Sequence, residues 1–213
     1  MRLVLASASP ARLTVLRAAG LDPSILVSGV DESTVDSHDA RTVCATLARL
    51  KAEAVADRLR ADPTTIEPPV DGPTLVLGCD SVLEFDGAIY GKPTDDAEAT
   101  ARWRRMRGRT GTLHTGHFLV RLDTSASAGE VGSTQVTFAD VSDDEVAAYV
   151  ATSEPVRVAG AFTIDGLGGW FVERIAGDHG TVIGVSLPVL RRLLHELGVG
   201  VPTLWATTPS HST

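Results

Sequence analysis

The chain has 213 residues, 43% hydrophobic and 22% charged, the profile of an ordinary globular protein with room for one large domain or two small lobes on a shared core. Its net charge of −8 lacks the basic footprint needed to bind a nucleic-acid polymer or an anionic membrane, yet leaves room for a local cationic cleft around a small anion. No apolar run is long enough to span a bilayer, and Arg2 followed by a few apolar residues is not a cleavable signal, so a cytoplasmic protein without a membrane partner is expected. Cys44 and Cys79 form no close-spaced pair, which suits buried packing in a reducing compartment better than a disulfide or zinc.

Residues 2–6 (RLVLA) read as a buried strand. Ser9-Pro10 then supplies an N-cap and an N1 proline, with Gly20 as the helix stop and Leu13, Leu16 and Ala19 on one apolar face. A second strand is expected at 23–28, followed by the acidic loop GVDEST. A long helix follows over about 39–59, with Val43, Leu47, Leu50 and Ala54 inward. The stretch ADPTTIEPPVDGP is a loop. Two apolar runs flank Asp86-Gly87, a strong hairpin signal, and a helix over about 95–106 comes next. Strands are expected at 110–122 and 131–139, joined by a flexible TSASAGE. SDDEVAAYVA is a serine-capped helix, and the glycine-rich GAFTIDGLGGWFVERIAGD is strand-like. Ser186 and Pro188 open a last helix, with Leu187, Leu190, Leu194 and Leu197 on one side and Gly198 as its stop. The final TTPSHST reads as a frayed tail. Strands and helices mix throughout, so the class is α/β with a mixed sheet.

The turn SASPAR plants Arg12 in the first turn of a helix, where the macrodipole is already positive. A phosphate held by the helix N-terminus, by Ser7 and Ser9 and by the arginine fork would justify that placement; a good cap with a solvated arginine is the plainer reading. Asp80 interrupts an apolar strand-like run, TLVLGCDSVLEF, where an ionised carboxylate is costly unless paired or metal-bound. Two readings stay open: a metal ligand or general base at a strand end, and a strand terminus or bulge meeting solvent. Lys51 sits at the edge of the long helix's apolar face, either snorkelling to water or delivering an ammonium into a cleft. Lys92 in YGKP, Glu32 in VDEST and Arg109 in RGRTGT are individually weak candidates. His114 and His117 lie three apart in a strand and so face opposite ways, poor geometry for a shared metal. Glu154, Asp165 and Asp178 read as turn or surface acids.

In order and spacing these blocks resemble one family, the Maf-type nucleoside triphosphate pyrophosphatases. The resemblance runs from LVLASASPARLTVLRAAG through VDE, LARLKAEAV, VLGCDSVLEFDGAIYGKPTDDAEA and GRTGTLHTG to IGVSLPVLRRLLHELG. It implies a twisted mixed β-sheet with flanking helices, two lobes around a cleft of the Maf and inosine-triphosphatase kind, over residues 1–201, with 202–213 as a tail. It implies an enzyme that cleaves a nucleoside triphosphate to the monophosphate and pyrophosphate with a divalent cation, Mg²⁺ or Mn²⁺, and is compatible with a homodimer. Carried onto this chain, Asp80, Lys51 and Lys92 would be catalytic. Arg12 and Glu32 would join the two lysines in substrate binding, with Ser7, Ser9 and Arg109 added from the reading of this chain's own turns, and Asp80 with Glu32 would hold the metal. Three departures from the family pattern, Ala11, Gly111 and Val158, keep open a non-catalytic nucleotide-binding regulator of cell division. The family's aspartate-threonine pair reads Asp80-Ser81 here, which keeps the hydroxyl, and Asp165 in Ile164-Asp165-Gly166 weakly favours a purine base.

Overall fold

A computed structural model describes residues 1–206. Seven strands form one mixed sheet: β1 (Arg2–Leu5), β2 (Ser24–Ile25), β3 (Thr74–Phe85), β4 (Ala88–Tyr90), β5 (Thr110–Arg121), β6 (Ser127–Phe138) and β7 (Val172–Ala176). The order is β2-β1-β3-β5-β6-β7, with β4 beside β3. Strands β2, β1 and β3 run parallel, and the pairs from β3 onward are antiparallel. The helices are α1 (Pro10–Ala18), α2 (Ala40–Ala61), α3 (Asp96–Met106), α4 (Asp143–Val150), α5 (His179–Ile183) and α6 (Leu187–Glu196). None is long and apolar enough to cross a membrane. This is the expected α/β class.

Strand β3 is the spine, and its alternation sets the layout. On one face Leu75, Leu77 and Cys79 join a core with α6, while Leu83 and Phe85 join a second core built around Trp103, Phe138 and Tyr149. The two cores are separated on this face by Ser81. On the other face Val76 packs with Ala52, Val55 and Leu59 of α2, and Val82 packs with Cys44, with Gly78 and Asp80 in between. The polar break at Asp80-Ser81 therefore falls at a junction of cores on both faces of the sheet.

Local chemistry explains the element ends. Ser9 caps α1, Ser142 and Glu145 form a reciprocal capping box on α4, and Ser186 caps α6. Asp86 and Gly87, both at positive φ, turn β3 into β4. Elsewhere the expected boundaries shift. The second strand covers only Ser24–Ile25 of the anticipated 23–28. TSASAGE is not a flexible join: Ser127–Glu130 already belong to β6, paired with His117–Val120. The glycine-rich 160–178 stretch is 3-10 turns and irregular backbone before β7, with strand only at β7. Leu187, at the first position of α6, is exposed, and Val189 and Leu193 are buried with Leu190 and Leu194. Residues 202–206 are not a loose tail: Leu204 is buried and Trp205 bridges to Leu21. TTPSHST lies outside the described residues.

The inward face of α2 also differs from expectation. Cys44, Leu47, Ala48, Ala52, Val55 and Leu59 are buried, whereas Val43, Leu50 and Ala54 are half-buried. Small residues form this stripe because the helix lies almost on the sheet backbone. A Cβ at Gly78 would overlap the Ala48 carbonyl oxygen, and one at Gly116 would overlap the Cys44 carbonyl. Glycines in strands are tolerated where another backbone comes this close. Both cysteines are free and buried; burial pushes the Cys44 thiol up to about 12 and the Cys79 thiol up to about 11, so both are inert packing residues.

Candidate active site

Strand β1 pairs with β3 over Thr74–Leu77, and β4 pairs with it over Leu83–Phe85. Strand β5 occupies the opposite edge throughout. Among the described residues, 78–82 of β3 thus have no strand partner on the β1 side, and a cleft of about 640 Å³ opens there. Asp80 lies within this gap. It is neither at a strand end nor in a bulge, as both sequence readings had it; it pairs in regular register with Gly116.

Close packing of α2 delivers Lys51 to the same place. Asp80 is 6% exposed and Lys51 7%, so the lysine does not snorkel. Its Nζ donates to Asp80 Oδ1 at 2.6 Å and to Glu32 Oε1 at 2.6 Å. Glu32 comes from the 3-10 turn Glu32–Thr34, which is capped by Asp31. Burial pushes the Asp80 carboxyl above its ordinary value, and the opposing pull of Lys51 and Arg12 does not cancel that rise. Glu32 goes the other way. Its partial burial would raise it, but the Lys51 hydrogen bond and charge, with Lys92 and Arg12, outweigh that effect and hold it low.

Arg12 closes the cleft from the α1 side. Its Nε donates to Gly184 O at 2.8 Å, Nη1 to Ser7 Oγ at 2.9 Å and Nη2 to Ser81 Oγ at 3.2 Å. Every one of these acceptors is neutral, and the first turn of α1 holds no acid. The guanidinium is fixed in orientation while its charge has no carboxylate in ion-pair contact among the described residues. Ser81 is held in turn by Thr115, whose hydroxyl donates to Thr181 O.

Ser7, Ser9, Arg12 and Glu32 all line the cleft, and so do Lys51, Asp80 and Lys92. The structure does not bring Arg109 there: it donates to Asp86 at the hairpin turn and lies 4.7 Å over the Phe85 ring. The two histidines take separate structural places. His114 bonds Ser133 and Glu84, and His117 Nε2 accepts the Ser186 N–H. Glu154 organises its loop, accepting from Tyr149, Thr163 and the Gly168 N–H, and Asp178 caps α5. Asp165 lines the cleft. A more open hollow of about 490 Å³, lined by Arg41, Arg49 and His117, contains none of the candidate residues. Sequence reading missed Gly78 and Gly116, although a glycine inside an apolar strand is the signal for a close backbone approach. It also missed Gly184, whose carbonyl orients Arg12; nothing local in the sequence marks that contact.

An α/β sheet with a cleft where strand pairing lapses along β3, lined by four cationic side chains around a buried carboxylate, defines a protein built to handle a small polyanion. The chain belongs to the Maf-like protein family, whose profile matches residues 2–197. A Salinispora tropica protein named nucleoside triphosphate pyrophosphatase is 62% identical, with 100% of this chain and 92% of that protein covered. Proteins of the same name from Streptomyces avermitilis (53% identical; 96% and 94% covered) and a Cyanothece species (49%; 96% and 100%) are also similar.

Proposed function

We propose that this protein hydrolyses a nucleoside triphosphate to the monophosphate and pyrophosphate. The observation that carries the reading is the buried Lys51–Asp80 pair at an unpaired strand edge, facing an arginine that has no acidic partner among the described residues. A triphosphate supplies the missing negative charge, and the relatives' names point to the same substrate class.

The chemistry needs placement and charge neutralisation more than covalent help. Arg12, Lys51 and Lys92 bind the phosphate oxygens, and the Ser9-capped start of α1 adds N–H donors. Water attacks the α-phosphorus; one P–O bond forms, the bridge to the β-phosphorus breaks, and pyrophosphate leaves with the electron pair. Asp80, raised by burial, takes the proton of the attacking water on its carboxylate. Lys51 keeps that carboxylate oriented.

Glu32 and Asp80 fit a hard divalent cation. They already converge on one positive charge, the Lys51 ammonium, and neither Glu32 Oε2 nor Asp80 Oδ2 accepts a hydrogen bond among the described residues. No group of three acidic, histidine or cysteine side chains converges among the described residues, so phosphate oxygens and water would complete the shell, as Mg²⁺ prefers. When bound, such a cation supplies charge neutralisation and a more acidic water. A cytoplasmic setting suits the two free buried thiols. Assaying a panel of triphosphates with Mg²⁺, with Mn²⁺ and after chelation tests the proposal. Pyrophosphate with metal is expected; orthophosphate, or tight binding without product, would overturn it.

A further inference from the structure

Four cationic side chains line the cleft: Arg12, Lys51, Lys92 and Arg157. Two of them are already engaged. Arg12 bonds Gly184, Ser7 and Ser81, and Lys51 bonds Glu32 and Asp80. Among the described residues, Lys92 and Arg157 have no side-chain hydrogen bond or ion pair. Both are exposed at the cleft. A cation in a cleft with no protein partner is available to a ligand at no cost in broken contacts.

The backbone that presents Arg157 is tightly fixed. Residues Pro155–Arg157 form a 3-10 turn whose first residue is buried, and Ala159–Ala161 form another. Gly160 and Ala161 both have positive φ, +72° and +63°. That region is uncommon for a residue with a Cβ, so consecutive positions there persist only where the surroundings over-determine them. The surroundings do so here. The Gly160 N–H donates to Gly91 O at 3.1 Å, Trp103 Nε1 donates to Ala161 O at 2.7 Å, and a Cβ at Gly160 would press on Leu83. The Gly91 bond ties the segment carrying Arg157 to the residue next to Lys92. Arg102 holds the same Gly91 carbonyl. The two free cations are thus mounted on one hydrogen-bonded frame at the cleft.

We propose that Arg157 is a substrate-binding residue that grips the pyrophosphate portion of the triphosphate together with Lys92. This rests on the reading of the cleft as a triphosphate site. The guanidinium fork matches two phosphate oxygens, and Lys92 adds a compact charge beside it. With Arg12 and Lys51 fixed around Asp80, the adaptable pair serves the end of the substrate that must be released.

The test measures calorimetric binding of inorganic pyrophosphate, and kcat and KM for several triphosphates, in wild type, Arg157→Ala, Arg157→Lys and Lys92→Ala. Arg157 is exposed and makes no side-chain hydrogen bond or ion pair among the described residues, so its variants are expected to melt with the wild type. Arg157→Ala is expected to weaken pyrophosphate binding by about tenfold or more and to raise KM to a similar degree, with Arg157→Lys in between. Unchanged pyrophosphate affinity in Arg157→Ala would overturn the inference. So would a loss that differs between purine and pyrimidine triphosphates while pyrophosphate binding is unchanged, because Arg157 would then face the base. If the wild type binds pyrophosphate but turns over no triphosphate, the proposed activity fails, and the Arg157 result still stands or falls on pyrophosphate affinity alone.

Discussion

Gly78 of β3 lies directly against the Ala48 carbonyl of α2, with no room for a Cβ between them. This contact sets the height of the helix above the sheet, and so the reach of Lys51 into the cleft. The obstructing atoms are backbone: the Ala52 nitrogen is also only 2.8 Å from where that Cβ would stand, so no side-chain rotation relieves the clash. Gly78→Ala is expected to destabilise the protein by about 1–3 kcal/mol or more, as overpacking does. It is also expected to lower kcat by lifting Lys51 from Asp80. Urea unfolding and pyrophosphate release check the two effects separately. A variant as stable and active as wild type would show that α2 is not seated by this contact.

Removing the Lys51 ammonium has a consequence with a definite sign. Asp80 is buried and already raised; without its partner it rises further. A carboxyl whose folded pKa lies above its unfolded value binds more protons in the native state, so its contribution to stability falls as pH rises from the unfolded value through the folded one. Lys51→Met is therefore expected to lose more stability at pH 8 than at pH 5. Breaking a buried pair by deleting one member typically costs about 3–5 kcal/mol where the survivor stays charged. Adding Asp80→Asn to Lys51→Met is expected to restore stability and flatten the pH dependence without restoring activity. Parallel pH profiles for Lys51→Met and wild type would contradict this.

His117 gives the opposite dependence. Burial holds its imidazole down, to about 4, with the Arg12 charge adding to the effect. Its Nε2 accepts the Ser186 N–H that opens α6, which fixes the neutral ring in the tautomer with the proton on Nδ1. The unfolded chain takes up a proton near pH 6.5 that the native state refuses until about pH 4. Stability from this group is thus full above pH 6.5 and is lost as pH falls toward 4, by roughly 3 kcal/mol. His117→Gln, whose amide oxygen can accept the same N–H, is expected to remove that part of the acid slope. Denaturant midpoints for both proteins across the window decide it; identical slopes would rule out His117 as the source.

The parts of this fold that were legible in sequence are those governed by local chemistry. Ser9-Pro10, Asp86-Gly87, the Ser142 cap and Gly198 each satisfy or terminate backbone within a few residues, and each stands where expected. What was not legible depends on distant partners. The polar Ser127–Glu130 becomes strand because β5 offers a ladder to pair with. The buried stripe of α2 is rich in alanine because Gly78 and Gly116 draw the helix close, so its apolar face carries little hydrophobic signal. Asp80 and Lys51 were legible as anomalies, a charge in a strand and a lysine beside an apolar face. That they cancel one another was not visible locally. Arg109 looked like another phosphate contact, but Asp86 and Phe85, supplied by the hairpin, hold it outside the cleft.

The most direct test of the cleft's role compares Asp80→Asn with wild type in a metal-supplemented pyrophosphate-release assay on a panel of nucleoside triphosphates. Asparagine matches the carboxylate in shape and Glu32 still pairs the Lys51 ammonium, so the variant is expected to stay folded, bind triphosphate and release no measurable pyrophosphate. Turnover by Asp80→Asn at the wild-type rate would contradict the assignment of this buried carboxylate to the reaction.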